Sequence, residues 1–198
     1  MSLIVAVRGP MGSAKSSFAL TLPGKKLVFD LEYGIQRAAW RFPAESYVVW
    51  QPPKQALILA NLTFTRGDRL HGKTELWQAI TARYIEALQD TSLTSIVFDT
   101  AKELWSINSQ SLLEDKQNNQ LDSYIQAAAN SKPPRTLLRE WAENEISEKA
   151  TWRASLLPIE YAQPNSRMKN IIDLARQFNK HLVLLNHERD IYIKVPDG

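Results

Sequence analysis

Nine residues near the amino terminus combine two glycines, a lysine and several serines. Residues 9–17 read GPMGSAKSS and follow the apolar run LIVAV. Gly9 permits a tight exit from a strand, and Gly12 can adopt a positive φ that points successive N–H groups toward an anion. Lys15 can reach the β and γ phosphates of a nucleotide, and the Ser16 hydroxyl can bind Mg²⁺. The spacing therefore predicts a phosphate-binding loop.

One residue of this loop departs from the usual pattern G-x-x-x-x-G-K-[ST], because Ala14 stands where that pattern has its second glycine. A methyl group is tolerated at negative φ and is costly at positive φ. We expect negative φ at Ala14 because it stands at the start of a helix. Nucleotide binding should then be retained, with turnover slowed by crowding.

Acidic side chains close two apolar runs further along the chain. TSIVFD ends in Asp99, and LVFDLE contains Asp30 and Glu32. Mg²⁺ needs a carboxylate from a neighbouring strand, so Asp99 is the expected ligand beside Ser16; a helix cap is the alternative role. Asp30 and Glu32 are two residues apart and should share a face. A carboxylate there can polarise the water that attacks the γ phosphate, although a solvated pair remains the alternative.

A polar pair, Asn186-His187, ends the apolar run HLVLL. Side chains at the end of a parallel strand can hydrogen-bond a γ phosphate and report its loss. The alternative is an ordinary loop histidine. The complete set of expected nucleotide contacts is Gly9, Pro10, Met11, Gly12, Ser13, Ala14, Lys15, Ser16, Ser17, Asn186 and His187.

Strand and helix patterns alternate along the chain. Apolar runs predict strands over 3–7, 26–32, 46–50, 94–99, 181–186 and 190–195. Helical periodicity predicts helices over 15–22, 54–62, 75–89, 101–114, 136–149 and 167–178. The polar, Gln/Asn-rich stretch 116–134 predicts a mobile insertion. The alternation favours an α/β fold with a central, mostly parallel sheet flanked by helices, in one domain over 1–198.

Composition narrows the class of protein. The 198 residues carry a net charge of +3 and include no cysteine, which excludes disulfides, thiolate zinc sites and cysteine nucleophiles. No apolar run approaches the ~20 residues that span a bilayer, and MSLIVAV lacks a basic signal-peptide region. We therefore expect a cytoplasmic protein with no membrane partner. The final VPDG follows an expected strand, so we also expect a chain truncated at its carboxyl end.

Four segments in this order, GPMGSAKS, DLEYG, IVFDT and LLNH, resemble those of RecA-like P-loop ATPases. The chain is most similar to the small phage-type AAA-family nucleotide-binding proteins of the single-strand annealing and recombination group, over residues 3–190. The resemblance implies a P-loop NTPase that binds ATP and Mg²⁺ and hydrolyses ATP. It also implies a role in DNA recombination, annealing or replication, with single-stranded DNA as a partner and the host cytoplasm as the location if the protein is phage-encoded.

The resemblance implies a role for each matching residue. These roles are Lys15 on the phosphates, Ser16 and Asp99 (the Walker B acid) on Mg²⁺, Glu32 as catalytic base, and His187 beside Asn186 as γ-phosphate sensor. Proteins of this kind are often homo-oligomers that complete the site at a subunit interface, and Arg189 could act in that way.

Two other functions remain open. A nucleotide-gated DNA-binding or assembly module would bind ATP without turnover, and Ala14 is its main support. The loop is also similar to the GPM-x-SGKS loop of thymidine kinases. A kinase of that type should carry an Asp-Glu pair after the later strand and usually zinc cysteines, whereas this chain has Asp99-Thr100 and no cysteine.

Basic residues form clusters that could contact nucleic acid. They are Arg66, Arg69, His71 and Lys73 in one polar stretch, and Lys132, Arg135 and Arg139 in another. Aromatic residues such as Trp152, beside Arg153, could stack on bases. The alternative for each cluster is solvated surface charge.

Overall fold

The chain alternates strands and helices in the computed structural model, which describes residues 2–10, 12–53, 69–131 and 152–188. The strands are β1 Ile4–Gly9, β2 Lys25–Asp30, β3 Tyr47–Trp50, β4 Leu93–Asp99 and β5 His181–His187. The helices are α1 Lys15–Leu20, α2 Gln36–Ala39, α3 Lys73–Gln89, α4 Ala101–Ser131 and α5 Ala162–Gln177, with single 3₁₀ turns at Ala44–Ser46 and Pro158–Tyr161.

The five strands form one sheet in the order β1-β5-β4-β2-β3, and every neighbouring pair is parallel. One row of β-branched side chains crosses the sheet in register: Val5, Val183, Val97, Val28 and Val49. Its three central members are fully buried. Valine suits such a row because its stiff side chain packs well on a pleated surface. The predicted α/β class and the parallel sheet are confirmed, as are these five predicted strands.

One face of the sheet packs against the first two helices. Ala19 and Leu20 of α1 and Ala38 and Ala39 of α2 form a buried cluster with the central valines. Small side chains on these two short helices allow their backbones to approach the strands closely. The loops that precede the helices are thereby held against the carboxyl ends of the strands.

The other face carries an aromatic cluster. The rings of Phe29 and Phe98 stack with centroids 4.5 Å apart, and the Tyr84 ring of α3 lies 5.8 Å from Phe98. The Tyr84 hydroxyl donates a 2.6 Å hydrogen bond to the carbonyl of Ile171. Burial raises the pKa of Tyr84. Because helices cover both faces, these strands read as continuous apolar runs rather than as alternating ones.

Residues 116–131, part of the stretch 116–134 that was expected to be a mobile insertion, are helical. Helix α4 continues to Ser131 instead of ending near 114. Gln117 is 1% exposed, accepts a hydrogen bond from the Leu70 amide and donates one to the carbonyl of Arg153. Leu121 is fully buried on the same helix. The polar composition misled the prediction because glutamine can be buried in a helix once its amide is paired. Residues 132–134 lie outside the described ranges.

Several other predicted elements lie outside the described residues, namely the helices over 54–62 and 136–149 and the strand over 190–195. The predicted helices that can be compared are present, with α3 beginning two residues early and α5 beginning five residues early. Helix α2 was not predicted. Within the described ranges, no helix has the length and apolar character needed to cross a membrane.

The chain divides into two compact units. The first comprises Met1–Gln51, Tyr84–Leu104 and Asn170–Gly198 and contains the whole sheet. The second comprises Pro52–Arg83 and Trp105–Lys169. The single domain over 1–198 stays a prediction.

The second unit contains buried polar contacts beside its buried apolar side chains. The buried carboxylate of Glu114 accepts hydrogen bonds from the amides of Gly72 and Thr74 at the start of α3. Arg167 donates to Ser111 Oγ and stacks over the ring of Trp77. These contacts link α3, α4 and α5 within the second unit.

Candidate functional site

A cleft of about 280 Å³ lies in the first unit, at the carboxyl ends of the parallel strands. Its lining consists of Gly12, Ser13, Ala14, Lys15, Ser16, Ser17, Glu32, Gly34, Arg37, Ala38, Arg41, Asp99 and His187. This edge is where open parallel sheets bind ligands, because the loops that follow the strands converge there. The structure therefore brings most of the predicted site residues into one cleft.

The loop after β1 turns sharply into α1. Gly12 has φ +80°, and a Cβ added there would have no heavy atom within 4 Å. At Gly9 an added Cβ would come within 2.8 Å of Ser13 Oγ, so the Ser13 hydroxyl would have to rotate away. The Ser13 amide donates to the carbonyl of Pro10 and closes the turn. Met11 lies outside the described residues.

The expectation of negative φ at Ala14 is wrong. Ala14 precedes the first residue of α1 with φ +60° and ψ 21°, a left-handed conformation. The chain must reverse direction there to enter the helix, and an L-residue with a Cβ pays about 1–2 kcal/mol in this region. The phosphate-loop pattern indicates this conformation, because the glycine that usually stands at the place of Ala14 is the residue that adopts positive φ most readily.

The side chain of Lys15 is buried against the loop that carries it. Its ammonium donates hydrogen bonds to the carbonyls of Gly9 and Pro10, at 2.8 and 2.6 Å, and to Ser13 Oγ at 3.3 Å. These three contacts use all three protons of the ammonium. Lys15 therefore lies in the cleft as expected, with its charge directed at oxygen atoms.

The hydroxyl of Ser16 donates a 2.9 Å hydrogen bond to Oδ2 of Asp99. Asp99 is 6% exposed at the end of β4. Burial raises the pKa of Asp99, and the nearby charges of Asp30 and Glu32 raise it further, while Ser16 and His187 oppose the shift. Burial disfavours the ionised form of a carboxylate, and a nearby cation stabilises that form.

The carboxylate of Glu32 is held at both oxygens. Its Oε1 accepts a 2.7 Å hydrogen bond from the Thr100 hydroxyl, and its Oε2 lies 3.4 Å from Nε2 of His187. Thr100 Oγ1 in turn accepts from the Glu103 amide in the first turn of α4. These contacts fix the carboxylate at the cleft, and they bring together residues that follow three different strands.

Asp30 does not act together with Glu32, although the two residues share a strand-end segment. The fully buried Asp30 accepts hydrogen bonds from the amides of Gly34 and Ile35 and from the side chain of Gln51. Strand β2 ends at Asp30, so the alternation of side chains does not extend to Glu32. Asp30 shapes the turn that leads into α2.

Four lining residues were not predicted, namely Gly34, Ala38 and two arginines. Arg37 and Arg41 lie in and just after α2, and both line the cleft. The segment between β2 and β3 carries no pattern that predicts a helix, so nothing indicated that these arginines share a side. Asn186, in contrast, was predicted but is not among the lining residues, because neighbouring residues of a strand point to opposite faces.

The expectation that Trp152 offers a surface for bases is wrong. Its ring is 5% exposed, and the guanidinium of Arg69 lies over it at 5.8 Å. Arg153 forms an ion pair with Glu160. Four basic residues of the two clusters lie outside the described residues: Arg66, Lys132, Arg135 and Arg139. Arg189, the residue expected at a subunit interface, also lies outside them.

Within the described residues there is no group of three or more His, Cys, Asp or Glu side chains that could hold a metal ion. The Ser16 and Asp99 pair nevertheless suits Mg²⁺, which takes one or two protein oxygens and keeps several waters.

No protein-family model matches this chain, and no curated protein matches it significantly in sequence.

The left-handed backbone at Ala14 predicts that Ala14→Gly stabilises the protein. Glycine adopts this conformation without a Cβ penalty, so the free energy of unfolding should rise by about 1 kcal/mol. Urea unfolding followed by circular dichroism measures the change. Ala82→Gly, at an exposed position inside α3, is the matched control and should lose about 1 kcal/mol. A loss of stability in both variants would contradict the positive φ at Ala14.

The raised pKa of Asp99 predicts a pH-dependent gain in stability for Asp99→Asn. The folded state holds the Asp99 proton more tightly than the unfolded state, so wild-type stability falls as the pH rises above the ordinary value of 3.8. Asp99→Asn removes the titrating carboxyl, so its stability does not fall with pH for this reason. The stability of Asp99→Asn relative to the wild type should therefore increase as the pH rises above 3.8, measured by urea unfolding in a chelating buffer.

Asp90→Asn is the control of opposite sign. Hydrogen bonds from Ser92 lower the pKa of Asp90. The ionised carboxylate of the wild type therefore stabilises the fold at pH values above the ordinary pKa of 3.8, and this stabilisation is lost as the pH falls. The disadvantage of Asp90→Asn should grow as the pH rises. Equal pH dependence in the two variants would refute the assignment for Asp99.

Proposed function

We propose that the chain is a RecA-like P-loop ATPase that binds ATP with Mg²⁺ and hydrolyses it. The observation that carries the proposal is the hydrogen bond between Ser16 and Asp99 beside Lys15, in a cleft at the carboxyl ends of parallel strands. A hydroxyl and a carboxylate on one side of a loop lysine form the arrangement that holds Mg²⁺ against nucleotide phosphates. The P-loop spacing of the sequence supports the same function.

Phosphate binding is the task of the loop and of Lys15. The space beside Gly12 lets the backbone approach a phosphate closely. The Lys15 ammonium contacts neutral carbonyls of Gly9 and Pro10, and a phosphate oxygen is a stronger, charged acceptor for it. Lys15 would then turn from the loop carbonyls to the β and γ phosphates.

Mg²⁺ would be held by Ser16 and Asp99, whose oxygens are already 2.9 Å apart. When bound, the ion neutralises charge on the phosphates. The buried position that raises the pKa of Asp99 also strengthens the attraction of its carboxylate to a cation.

Glu32 is the group that we assign to the attacking water. Thr100 and His187 contact its two oxygens and orient the carboxylate toward the cleft. In that position Glu32 can accept a proton from water as the γ phosphate is attacked. His187, which contacts Glu32 directly, is placed to respond to the γ phosphate.

A role in DNA recombination, annealing or replication rests on the sequence resemblance alone. The proposed partner is single-stranded DNA, and the proposed assembly is a homo-oligomer. If the role is correct, single-stranded DNA should stimulate ATP hydrolysis in a salt-dependent way. Unchanged hydrolysis, together with no DNA binding in the presence of ATP at low salt, would contradict it.

A second candidate is a module that binds nucleotide without turnover. Ala14 favours it, because a residue with a Cβ in left-handed backbone adds strain to the loop that a glycine would not. The two functions predict the same nucleotide affinity and differ in whether Glu32 matters. A variant at Glu32 therefore separates them.

Glu32→Gln should lower the rate of ATP hydrolysis by at least ~100-fold and leave ATP binding nearly unchanged, because the amide retains the size of the side chain and cannot act as a base. Lys15→Ala should weaken binding and abolish hydrolysis together. Phosphate release and isothermal titration calorimetry measure the two quantities. Lys25→Ala, an exposed lysine at the opposite end of β2, should alter neither.

The outcomes of this experiment separate the candidate functions. A low rate that Glu32→Gln does not change, with ATP bound, would favour the module without turnover. Formation of ADP only when nucleosides are added, with the phosphoryl group transferred to the nucleoside and no phosphate released, would favour a thymidine-kinase-like enzyme. Failure of the wild type to bind ATP at millimolar concentration would refute all three.

A further inference from the structure

The cleft contains two arginines that have no role in the proposed ATPase mechanism. Arg37 and Arg41 are four residues apart, and Trp40 between them still has helical φ and ψ, so the two side chains lie on one side of a continuous helical turn. Both line the same cleft as Lys15 and Asp99. The cleft therefore holds more cationic side chains than a P-loop alone supplies.

Neither guanidinium has a carboxylate partner among the described residues. The two acids of the cleft are engaged elsewhere, Asp99 with Ser16 and Glu32 with Thr100 and His187. Two cations that face a cleft without neutralising acids favour an anion there. Guanidinium groups suit phosphate in particular, because each can donate two parallel hydrogen bonds to its oxygens.

The turn that carries these arginines is firmly held. The fully buried Asp30 accepts hydrogen bonds from the amides of Gly34 and Ile35 at the start of the turn. Ala38 and Ala39 pack into the buried cluster on the face of the sheet. The backbone of α2 is therefore fixed relative to β2, and only the two long side chains need to be ordered when a ligand binds.

The exposed ring of Trp40 positions one of the arginines. Trp40 is 73% exposed, and the guanidinium of Arg41 lies over its ring at 5.0 Å. The indole N–H donates a 3.1 Å hydrogen bond to the carbonyl of Arg37 and fixes the ring. A cation stacked on an aromatic face retains its N–H groups for other partners. This contact explains why so large an apolar side chain is kept at the surface.

We propose that Arg37 and Arg41 bind the terminal phosphate of a nucleoside triphosphate and so select triphosphate over diphosphate. The inference rests on the proposed function. The terminal phosphate is the one favoured because Glu32, the residue assigned to the attacking water, is on the same connection after β2. The guanidinium of Arg37 also lies back over Gly34 of that connection, since a Cβ built on Gly34 would be 4.0 Å from its Nη2.

The test compares two ligands in the presence of Mg²⁺: adenylyl imidodiphosphate, which is not hydrolysed, and ADP. Arg37→Ala and Arg41→Ala should each weaken binding of the triphosphate analogue by roughly tenfold or more, as expected for a lost charge-assisted hydrogen bond. The affinity for ADP should change less than about threefold. Arg37→Lys keeps the charge without the paired donors and should lie between Arg37→Ala and the wild type.

Two variants serve as controls for this comparison. Arg176→Ala removes an exposed arginine of α5 that does not line the cleft, and it should change neither affinity. Trp40→Ala should weaken analogue binding less than Arg41→Ala, because it leaves the guanidinium in place without its support. Circular dichroism checks that each variant is folded.

Each result supports or overturns the inference. Selective loss of analogue binding supports it. Equal weakening for the analogue and ADP, or no change for either, overturns it while leaving the proposed function intact, provided that Lys15→Ala weakens binding of both ligands. Failure of the wild type to bind either ligand overturns the proposed function and this inference together.

Discussion

The hydrogen bond from Ser16 to Asp99 joins two parts of the sheet that do not touch directly. Ser16 follows β1 and Asp99 ends β4, and β5 lies between these two strands. The contact requires the loop after β1 to turn inward over the end of β5, and this turn demands left-handed backbone at Gly12 and Ala14. Once the loop is in that position, Lys15 is directed into the cleft. The geometry of the cleft thus depends on one hydroxyl and one buried carboxylate.

Several features of the cleft lower the stability of the fold. Ala14 carries a Cβ in a conformation that glycine prefers, and Asp99 is buried near two other carboxylates. Arg37 and Arg41 lie together without an acidic partner among the described residues. Strain and unneutralised charge of this kind concentrate at binding sites, where a ligand relieves them. The pattern of charge is the basis of the proposal that Asp99 holds a metal ion and that the cationic groups hold phosphates.

Local sequence patterns predicted the parts of the structure that depend on local physics. Buried strands need apolar runs, and polar residues directly after them must meet at one edge of a parallel sheet, so Ser16 and Asp99 could be paired in advance. Patterns failed where a distant contact decides the outcome. Arg37 and Arg41 reach the cleft because Asp30 holds a turn that has no periodicity of its own. The length of α4 likewise depends on partners remote in sequence. The positive φ of Ala14 is a different case, because the loop pattern indicated it and the helix start was given more weight.

The central claim is that this loop binds the phosphates of ATP, and a crystal structure with Mg²⁺ and adenylyl imidodiphosphate tests it most directly. The account predicts that the Lys15 ammonium leaves the carbonyls of Gly9 and Pro10 for the phosphate oxygens, with Mg²⁺ between Ser16 and Asp99. A nucleotide bound elsewhere on the protein, or bound at the loop while the Lys15 ammonium stays on those carbonyls, would contradict it.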